Sequence, residues 1–157
     1  MSRWDFTYPP TNFGDMALYP ELRERLQYYY DSCEIPHTIL YGDTGTGKST
    51  TAFILAQRLV PDFTKRNVFD CGGDKGVREV KEYVEILRNT RGGISKWIEP
   101  DKPYCFIFDE FHNIAPKHQT MLNIALETYA FDTPCLFCVN NIEKVAPPIQ
   151  SRCRVLN

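Results

Sequence analysis

The strongest chemical signal in the sequence is a glycine-rich segment that ends in a lysine and a serine. Residues 42–49 read Gly-Asp-Thr-Gly-Thr-Gly-Lys-Ser and match the P-loop pattern G-x-x-x-x-G-K-[ST]. Such glycines let successive backbone N–H groups turn around phosphate oxygens. We therefore predict a nucleotide phosphate site, with Lys48 at the β- and γ-phosphates and Ser49 as a ligand of Mg²⁺. The candidate nucleotide contacts are Gly42, Asp43, Thr44, Gly45, Thr46, Gly47, Lys48, Ser49 and Thr50.

A second signal is a pair of adjacent carboxylates, Asp109 and Glu110, which follow the apolar run 105–108. Ligands of open α/β sheets bind at the carboxyl ends of the strands, where this pair is expected to lie. Asp109 is predicted to support Mg²⁺, and Glu110 to orient or deprotonate an attacking water. The doublet favours nucleotide hydrolysis over phosphoryl transfer to a small acceptor, as a small-molecule kinase would perform.

Two other polar residues are ambiguous from their own positions. Asn140 follows the apolar run 136–139 and could hold a water or the γ-phosphate, but asparagine also ends many strands. Arg152 could stabilise charge on a phosphoryl group from a neighbouring molecule, or be an ordinary solvated side chain. Cys135 and Cys138 have the spacing of a zinc pair, but no second pair completes four ligands, and on a strand the two point to opposite faces.

Short apolar runs alternate with helical patterns, which predicts an α/β domain with a parallel five-stranded sheet flanked by helices. A further helix is predicted to bury Val77, Val80, Val84 and Leu87 on one face, and Pro147 with Pro148 to break the last segment. Residues 1–36 are predicted to form an arm and first helix, and 37–157 the core, together one domain. The predicted strands are 38–41, 67–70, 104–108, 136–139 and 154–156, and the other predicted helices are 20–32, 48–60 and 117–130.

Composition excludes several classes of protein. The 157 residues are 43% hydrophobic and 24% charged, which argues against wholesale disorder and coiled coil. The net charge of −2 gives no overall positive field, so any DNA contact must be local or shared with other subunits. The sequence shows no apolar run typical of a signal peptide or membrane span, so we expect a soluble intracellular protein with reduced thiols.

The order of these segments resembles the AAA+ ATPase core of sliding-clamp loader small subunits of the replication factor C type, including those of bacteriophages. Residues 8–16, Tyr-Pro-Pro-Thr-Asn-Phe-Gly-Asp-Met, resemble the N-terminal box of that family. Residues 109–112, Asp-Glu-Phe-His, stand at its acid box, and residues 148–153, Pro-Ile-Gln-Ser-Arg-Cys, resemble its serine-arginine-cysteine box. The resemblance covers nearly the whole chain.

The resemblance implies an ATP- and Mg²⁺-dependent module that assembles with other clamp-loader subunits and a sliding clamp, in the cytoplasm, nucleoid or nucleus. It implies that Asn140 senses the γ-phosphate and that Arg152 is an arginine finger reaching the ATP site of an adjacent subunit in a ring. It also implies that Tyr8 and Pro9 lie near the adenine, and that Gln119 links DNA contact to the catalytic glutamate.

The sequence departs from the family at three places. Pro9 replaces an arginine of the N-terminal box. Asn123 and Ile124 replace a pair of arginines that contact DNA, so direct DNA binding is expected to be weak. The chain stops at Asn157, where the family continues into a helical lid and a collar, and we expect both to be absent. An alternative function is therefore a nucleotide-dependent interaction or scaffold module with little ATP turnover.

Overall fold

The computed structural model of the chain describes residues 10–64, 67–73, 76–91, 104–129 and 133–157. Tyr8 and Pro9, predicted to lie near an adenine, are outside these residues, as is the segment 92–103. None of the helices among the described residues is long and apolar enough to span a membrane.

Helices and strands alternate along the described chain, as predicted. Short 3₁₀ turns at Phe13–Asp15, Phe111–Asn113 and Ile142–Lys144 add to the regular elements. In chain order the elements are α1 (Pro20–Ser32), β1 (Thr38–Tyr41), α2 (Lys48–Leu59), β2 (Val68–Asp70), α3 (Gly76–Arg91), β3 (Phe106–Asp109), α4 (Pro116–Tyr129), β4 (Cys135–Val139), α5 (Pro147–Arg152) and β5 (Arg154–Leu156).

The described strands form one parallel five-stranded sheet in the order β2-β3-β4-β1-β5, which confirms the predicted fold class. Strand β4 lies between β1 and β3, with Tyr41 opposite Val139 and Phe108 opposite Phe137. Because parallel strands end at the same edge, the residues that follow β1, β3 and β4 are brought together there. This edge carries the phosphate loop, the acidic pair and Asn140.

Both faces of the sheet are buried, as expected for parallel strands with crossover helices. On one face, which we call the P-loop face, α1 and α2 pack on the sheet; its buried residues include Leu26, Ala52, Leu55, Ile107, Leu136 and Cys138. On the other face, which we call the aromatic face, α3 and α4 pack; its buried residues include Phe69, Tyr83, Phe106, Phe108, Phe111, Leu122, Cys135 and Phe137. Cys135 and Cys138 therefore point to opposite faces, as predicted.

The phase of α3 differs from the prediction. Its fully buried side chains are Val80, Tyr83 and Leu87, whereas Val84 is only partly buried. Tyr83 packs edge-on against Phe108 and Phe106, with ring centroids 4.8 and 5.1 Å apart. Val80 and Leu87 are thus buried as predicted, and Tyr83 rather than Val77 or Val84 completes the buried face of the helix.

Pro147 and Pro148 were predicted to break the last segment, but in the structure they are the first two residues of α5. Proline is accepted in the first helical turn because its missing N–H would have no partner there. The prolines thus set the start of the short helix that ends at Arg152.

Candidate functional site

The phosphate loop connects β1 to α2, and its glycines at positions 42, 45 and 47 all have positive φ angles. Gly47 has φ +85° and directly precedes α2. This conformation favours glycine, and a Cβ at Gly47 would lie 2.8 Å from the Met16 Cε atom, the end of a flexible side chain that would have to move. The loop lines a cavity of about 520 Å³ whose other walls include Met16, Leu18 and Leu22. The free N–H groups at the start of α2 suit an anion at this place.

Lys48 lies within the loop. Its Nζ donates hydrogen bonds to the carbonyl oxygens of Gly42, at 2.8 Å, and Asp43, at 2.6 Å. Thr46 Oγ1 also donates to the Asp43 carbonyl, at 2.8 Å. The positive charge predicted to meet the phosphates is therefore at the centre of the loop.

The start of α2 and the end of β3 meet at Ser49 and Asp109. Ser49 Oγ lies 3.2 Å from both carboxylate oxygens of Asp109, although the two residues are 60 positions apart. Asp109 is the last residue of β3, which runs over Phe106–Asp109 and so begins and ends later than the predicted strand. The fold therefore joins the two residues predicted as Mg²⁺ ligands.

Glu110 is held in an unusual position beside this contact. Its backbone is left-handed, with φ 52°, and its N–H donates to Asp109 Oδ1 at 3.0 Å. Its carboxylate Oε2 accepts a hydrogen bond from Asn113 Nδ2 at 3.4 Å. A Cβ at Gly72, after β2, would lie 2.6 Å from the same oxygen. Gly72 and Asn113 thus fix the place of the carboxylate, and neither was predicted from the sequence.

Asn140 contacts both the phosphate loop and the turn after Glu110. Its Nδ2 donates to Thr44 Oγ1 at 3.4 Å, and its backbone N–H donates to His112 Nδ1 at 3.2 Å. Partial burial lowers the pKa of His112, and the positive charges of Lys144 and Lys48 lower it further, while Glu110 and Asp109 oppose the shift. The structure therefore places Asn140 in the candidate site and adds His112, to which the sequence analysis gave no role of its own.

Arg152 is not brought to the phosphate loop of its own chain. It ends α5, forms an ion pair with Glu127 of α4, and donates from Nη1 to the Pro148 carbonyl at 3.0 Å. The side chains of Arg152 and Glu127 are 31% and 50% exposed. Glu127 was not predicted, and a carboxylate on the preceding helix is a weak sequence signal.

Gln119 is fully buried between α4 and the segment that leads to α5. Its Nε2 donates to the carbonyls of Ile114 and Lys144, at 2.9 and 2.8 Å, and its Oε1 accepts from the Ala146 N–H at 2.6 Å. Gln119 therefore ties α4 to the start of the helix that carries Arg152.

Cysteine and metal chemistry is limited in the described part of the chain. All six cysteines are free thiols. No group of three or more His, Cys, Asp or Glu side chains among the described residues could hold a metal ion.

Comparison with known proteins yields relatives among replication proteins. The chain is 30% identical over 154 residues to replication factor C small subunit 1 of Pyrobaculum islandicum, covering 97% of this chain and 45% of that protein. It is 30% identical over 156 residues to the replication factor C small subunit of Thermoplasma acidophilum, covering 98% of this chain and 47% of that protein. The chain thus spans about half the length of these curated relatives.

Solved structures support the fold. The Thermotoga maritima RuvB Holliday junction branch migration motor has a TM-score of 0.62 and 18% sequence identity, covering 94% of this chain and 47% of that one. A variant of the same RuvB has a TM-score of 0.67 at 17% identity, with the same coverage of both chains. Residues 38–156 match the family described as "ATPase family associated with various cellular activities (AAA)". The resemblance found in the motifs is confirmed, and the chain belongs to the AAA family of ATPases.

Proposed function

We propose that this chain is an ATP-binding and ATP-hydrolysing module of a DNA sliding-clamp loader that acts in DNA replication. The similarity to replication factor C small subunits, which extends over 97% of the chain, supports the biological role. The contact of Ser49 with Asp109 carries the enzymatic part, because it joins the phosphate loop to the acidic pair at one point.

In this proposal each polar residue at the sheet edge has one task. The backbone N–H groups of residues 42–50 and the Lys48 ammonium bind the phosphates of ATP. Glu110 orients a water and accepts its proton as the water oxygen attacks the γ-phosphorus and the bond to ADP breaks. Asn140, which lies beside Thr44 of the loop, holds the γ-phosphate or the water.

The residues at the site fit Mg²⁺. The Ser49 hydroxyl and the Asp109 carboxylate are adjacent oxygen ligands, the type that Mg²⁺ prefers, and they lie beside the phosphate loop. When bound, the ion would neutralise charge on the β- and γ-phosphates. The adenine is proposed to enter the cavity between the loop and Met16–Leu22, with Tyr8 and Pro9 near it.

Arg152 is proposed to act on the ATP of an adjacent subunit in a ring. Its ion pair with Glu127 is partly exposed, and such pairs contribute at most about 1 kcal/mol, so a neighbour's phosphate can compete for it. The partners proposed are other clamp-loader subunits and a sliding clamp inside the cell. Direct DNA contact is proposed to be weak, because Ile124, exposed at 57%, offers no charge to a phosphate.

The experiment that tests this proposal is trans complementation of ATP turnover. Lys48→Ala protein keeps Arg152 but loses its own phosphate site, and Arg152→Ala protein keeps the site but offers no finger. We expect each variant alone to have little turnover, because an arginine finger contributes on the order of a thousandfold to hydrolysis. We expect an equimolar mixture to regain turnover, rising with protein concentration.

Arg154→Ala is the matched control, since Arg154 is an exposed arginine that lies two residues from the half-buried Arg152 and starts β5. It should retain wild-type turnover. Full activity of Arg152→Ala alone would contradict the finger. If wild-type protein binds ATP at all concentrations tested without turning it over, the alternative function as a nucleotide-dependent interaction module replaces hydrolysis.

A further inference from the structure

His112 connects the turn that follows the acidic pair to the end of β4. It lies in the 3₁₀ turn Phe111–Asn113, two residues after Glu110. Its Nδ1 atom accepts a hydrogen bond from the Asn140 backbone N–H, 28 residues away, at 3.2 Å. The side chain of the same Asn140 donates to Thr44 of the phosphate loop. The His112 imidazole thus holds the backbone of Asn140, and the Asn140 side-chain amide reaches the phosphate loop from there.

The acceptor role sets the protonation state of the ring. Nδ1 can accept only when it carries no proton, so the hydrogen of the neutral ring is on Nε2. The groups around the ring are Glu110 and Asp109 at the end of β3, Lys48 of α2 and Lys144 of the turn after β4. Glu143 lines the same surface cavity as His112. Burial and the two lysines outweigh the carboxylates and lower the pKa of His112, so the ring is neutral at pH 7.

We propose that His112 is a positioning residue that holds Asn140 against the phosphate loop and thereby sets the preference of the site for ATP over ADP. The inference rests on the proposed role of Asn140 at the γ-phosphate. Only ATP has that phosphate, so loss of the contact weakens ATP binding and leaves ADP binding unchanged. The contribution expected from one hydrogen bond is about fivefold in affinity.

The test measures the dissociation constants of ATP and ADP by calorimetry, with Mg²⁺ and the full chain. His112→Ala should lower the ATP:ADP affinity ratio about fivefold, with ADP affinity unchanged. In His112→Asn the Oδ1 atom occupies the same bond position as Nδ1, so the ratio should return to within about twofold of wild type. In His112→Gln the acceptor is one bond further out, and the ratio should remain low.

His118→Ala is the matched control, because His118 lies on α4 and its Nδ1 atom has no hydrogen-bond partner in the structure. It should leave the ratio unchanged. An unchanged ratio in His112→Ala, an equal loss of ADP affinity, or equal rescue by glutamine and asparagine would overturn the inference. If His112→Ala does not fold, the asparagine and glutamine variants still decide between these outcomes.

The pH dependence provides a second readout. When Nδ1 is protonated it becomes a donor facing the Asn140 N–H, and the contact is lost. The lowered pKa means that the contact persists at neutral pH and is lost as pH falls through that value. As the pH is lowered through the range in which His112 gains its proton, the ATP:ADP ratio of wild type should therefore fall more than that of His112→Asn, which shares any titration of ATP itself. The protonation of His112 can be followed by NMR, and parallel profiles across that range would contradict the inference.

The failure of this inference can be separated from failure of the proposed function. Lys48→Ala should abolish binding of both nucleotides, and wild-type protein that binds neither would contradict the proposed function. Asn140→Ala should lower the ATP:ADP ratio as much as His112→Ala, and the double variant should lower it no further, since the two act as one unit. A low ratio in Asn140→Ala with a normal ratio in His112→Ala would overturn only the inference about His112.

Discussion

The two faces of the sheet are built from different side chains and support different parts of the site. The P-loop face packs mainly aliphatic side chains under α2, the helix that begins at the phosphate loop. The aromatic face stacks Phe108 between Phe69 and Phe137, with ring centroids 5.1 Å apart on each side. Phe111 packs on Phe137 at 4.8 Å and anchors the turn after Glu110.

In the proposed function, this difference separates phosphate binding from water activation. The phosphate loop depends on α2 and the P-loop face, whereas Glu110 and His112 flank Phe111 and depend on the aromatic face. Substitutions on the P-loop face are therefore expected to affect the affinity for both nucleotides, and those on the aromatic face to affect turnover and the preference for ATP over ADP.

The largest expected effect comes from neighbouring residues of β3 that point to opposite faces. Phe108→Ala should lower the free energy of unfolding by about 4 kcal/mol and Ile107→Ala by about 3 kcal/mol, because the ring leaves the larger cavity. Urea unfolding measures both changes in the free energy of unfolding, provided that the m-value stays the same. A greater loss of stability in Ile107→Ala than in Phe108→Ala would mean that the stacked rings contribute less to stability than their size indicates.

Phe111→Leu should separate turnover from ADP binding. The smaller side chain loosens the turn that carries Glu110, so turnover should fall about tenfold while ADP affinity stays within about twofold. Phe63→Leu is the matched control, since Phe63 packs edge-on with Phe53 on the P-loop face at 5.5 Å. Equal loss of turnover in the control would show that the two faces are not separate in function.

Gly72→Ala should act mainly on Glu110. The new Cβ would lie 2.6 Å from Glu110 Oε2 and 3.0 Å from Asp70 Oδ1, so the closer and flexible Glu110 carboxylate must move the most. We expect turnover to fall about fivefold with less than about 1 kcal/mol of lost stability. Gly73→Ala provides the contrast: its φ of +63° costs about 1 kcal/mol of stability, but its Cβ would meet no atom within 4 Å. If both variants lose turnover equally, the carboxylate position is not the cause.

The smallest effect concerns the buried hydrogen bond between Tyr83 and Cys135. The Tyr83 hydroxyl lies 2.8 Å from the Cys135 Sγ atom on the aromatic face. Tyr83→Phe should cost about 1 kcal/mol or less, because it removes the hydroxyl but keeps the ring packing. Thermal unfolding of Tyr83→Phe and of Cys135→Ala, each compared with wild type, measures the contribution of this hydrogen bond. A cost of several kcal/mol in Tyr83→Phe would mean that the hydroxyl, rather than the ring, holds α3 on the sheet.

The phosphate site was predictable because its pattern is local: the glycines, Lys48 and Ser49 are consecutive in the sequence. The strands and the acidic pair followed from apolar runs that end in polar residues. The contacts of Glu110 with Gly72 and of His112 with Asn140 join distant segments, and no local pattern encodes them. Tyr83 shows a further limit, since helical spacing alone did not distinguish an aromatic from an aliphatic packing residue.

The left-handed backbone of Glu110 has a consequence for the selection of stable variants. A non-glycine residue at φ 52° costs about 1 kcal/mol or more, which the folded state tolerates because the surrounding turn determines the conformation. Glycine would relieve this strain, so Glu110→Gly is expected to keep or raise stability while it removes the carboxylate proposed to orient water. A stability screen that ignores turnover should therefore enrich the loss of this glutamate.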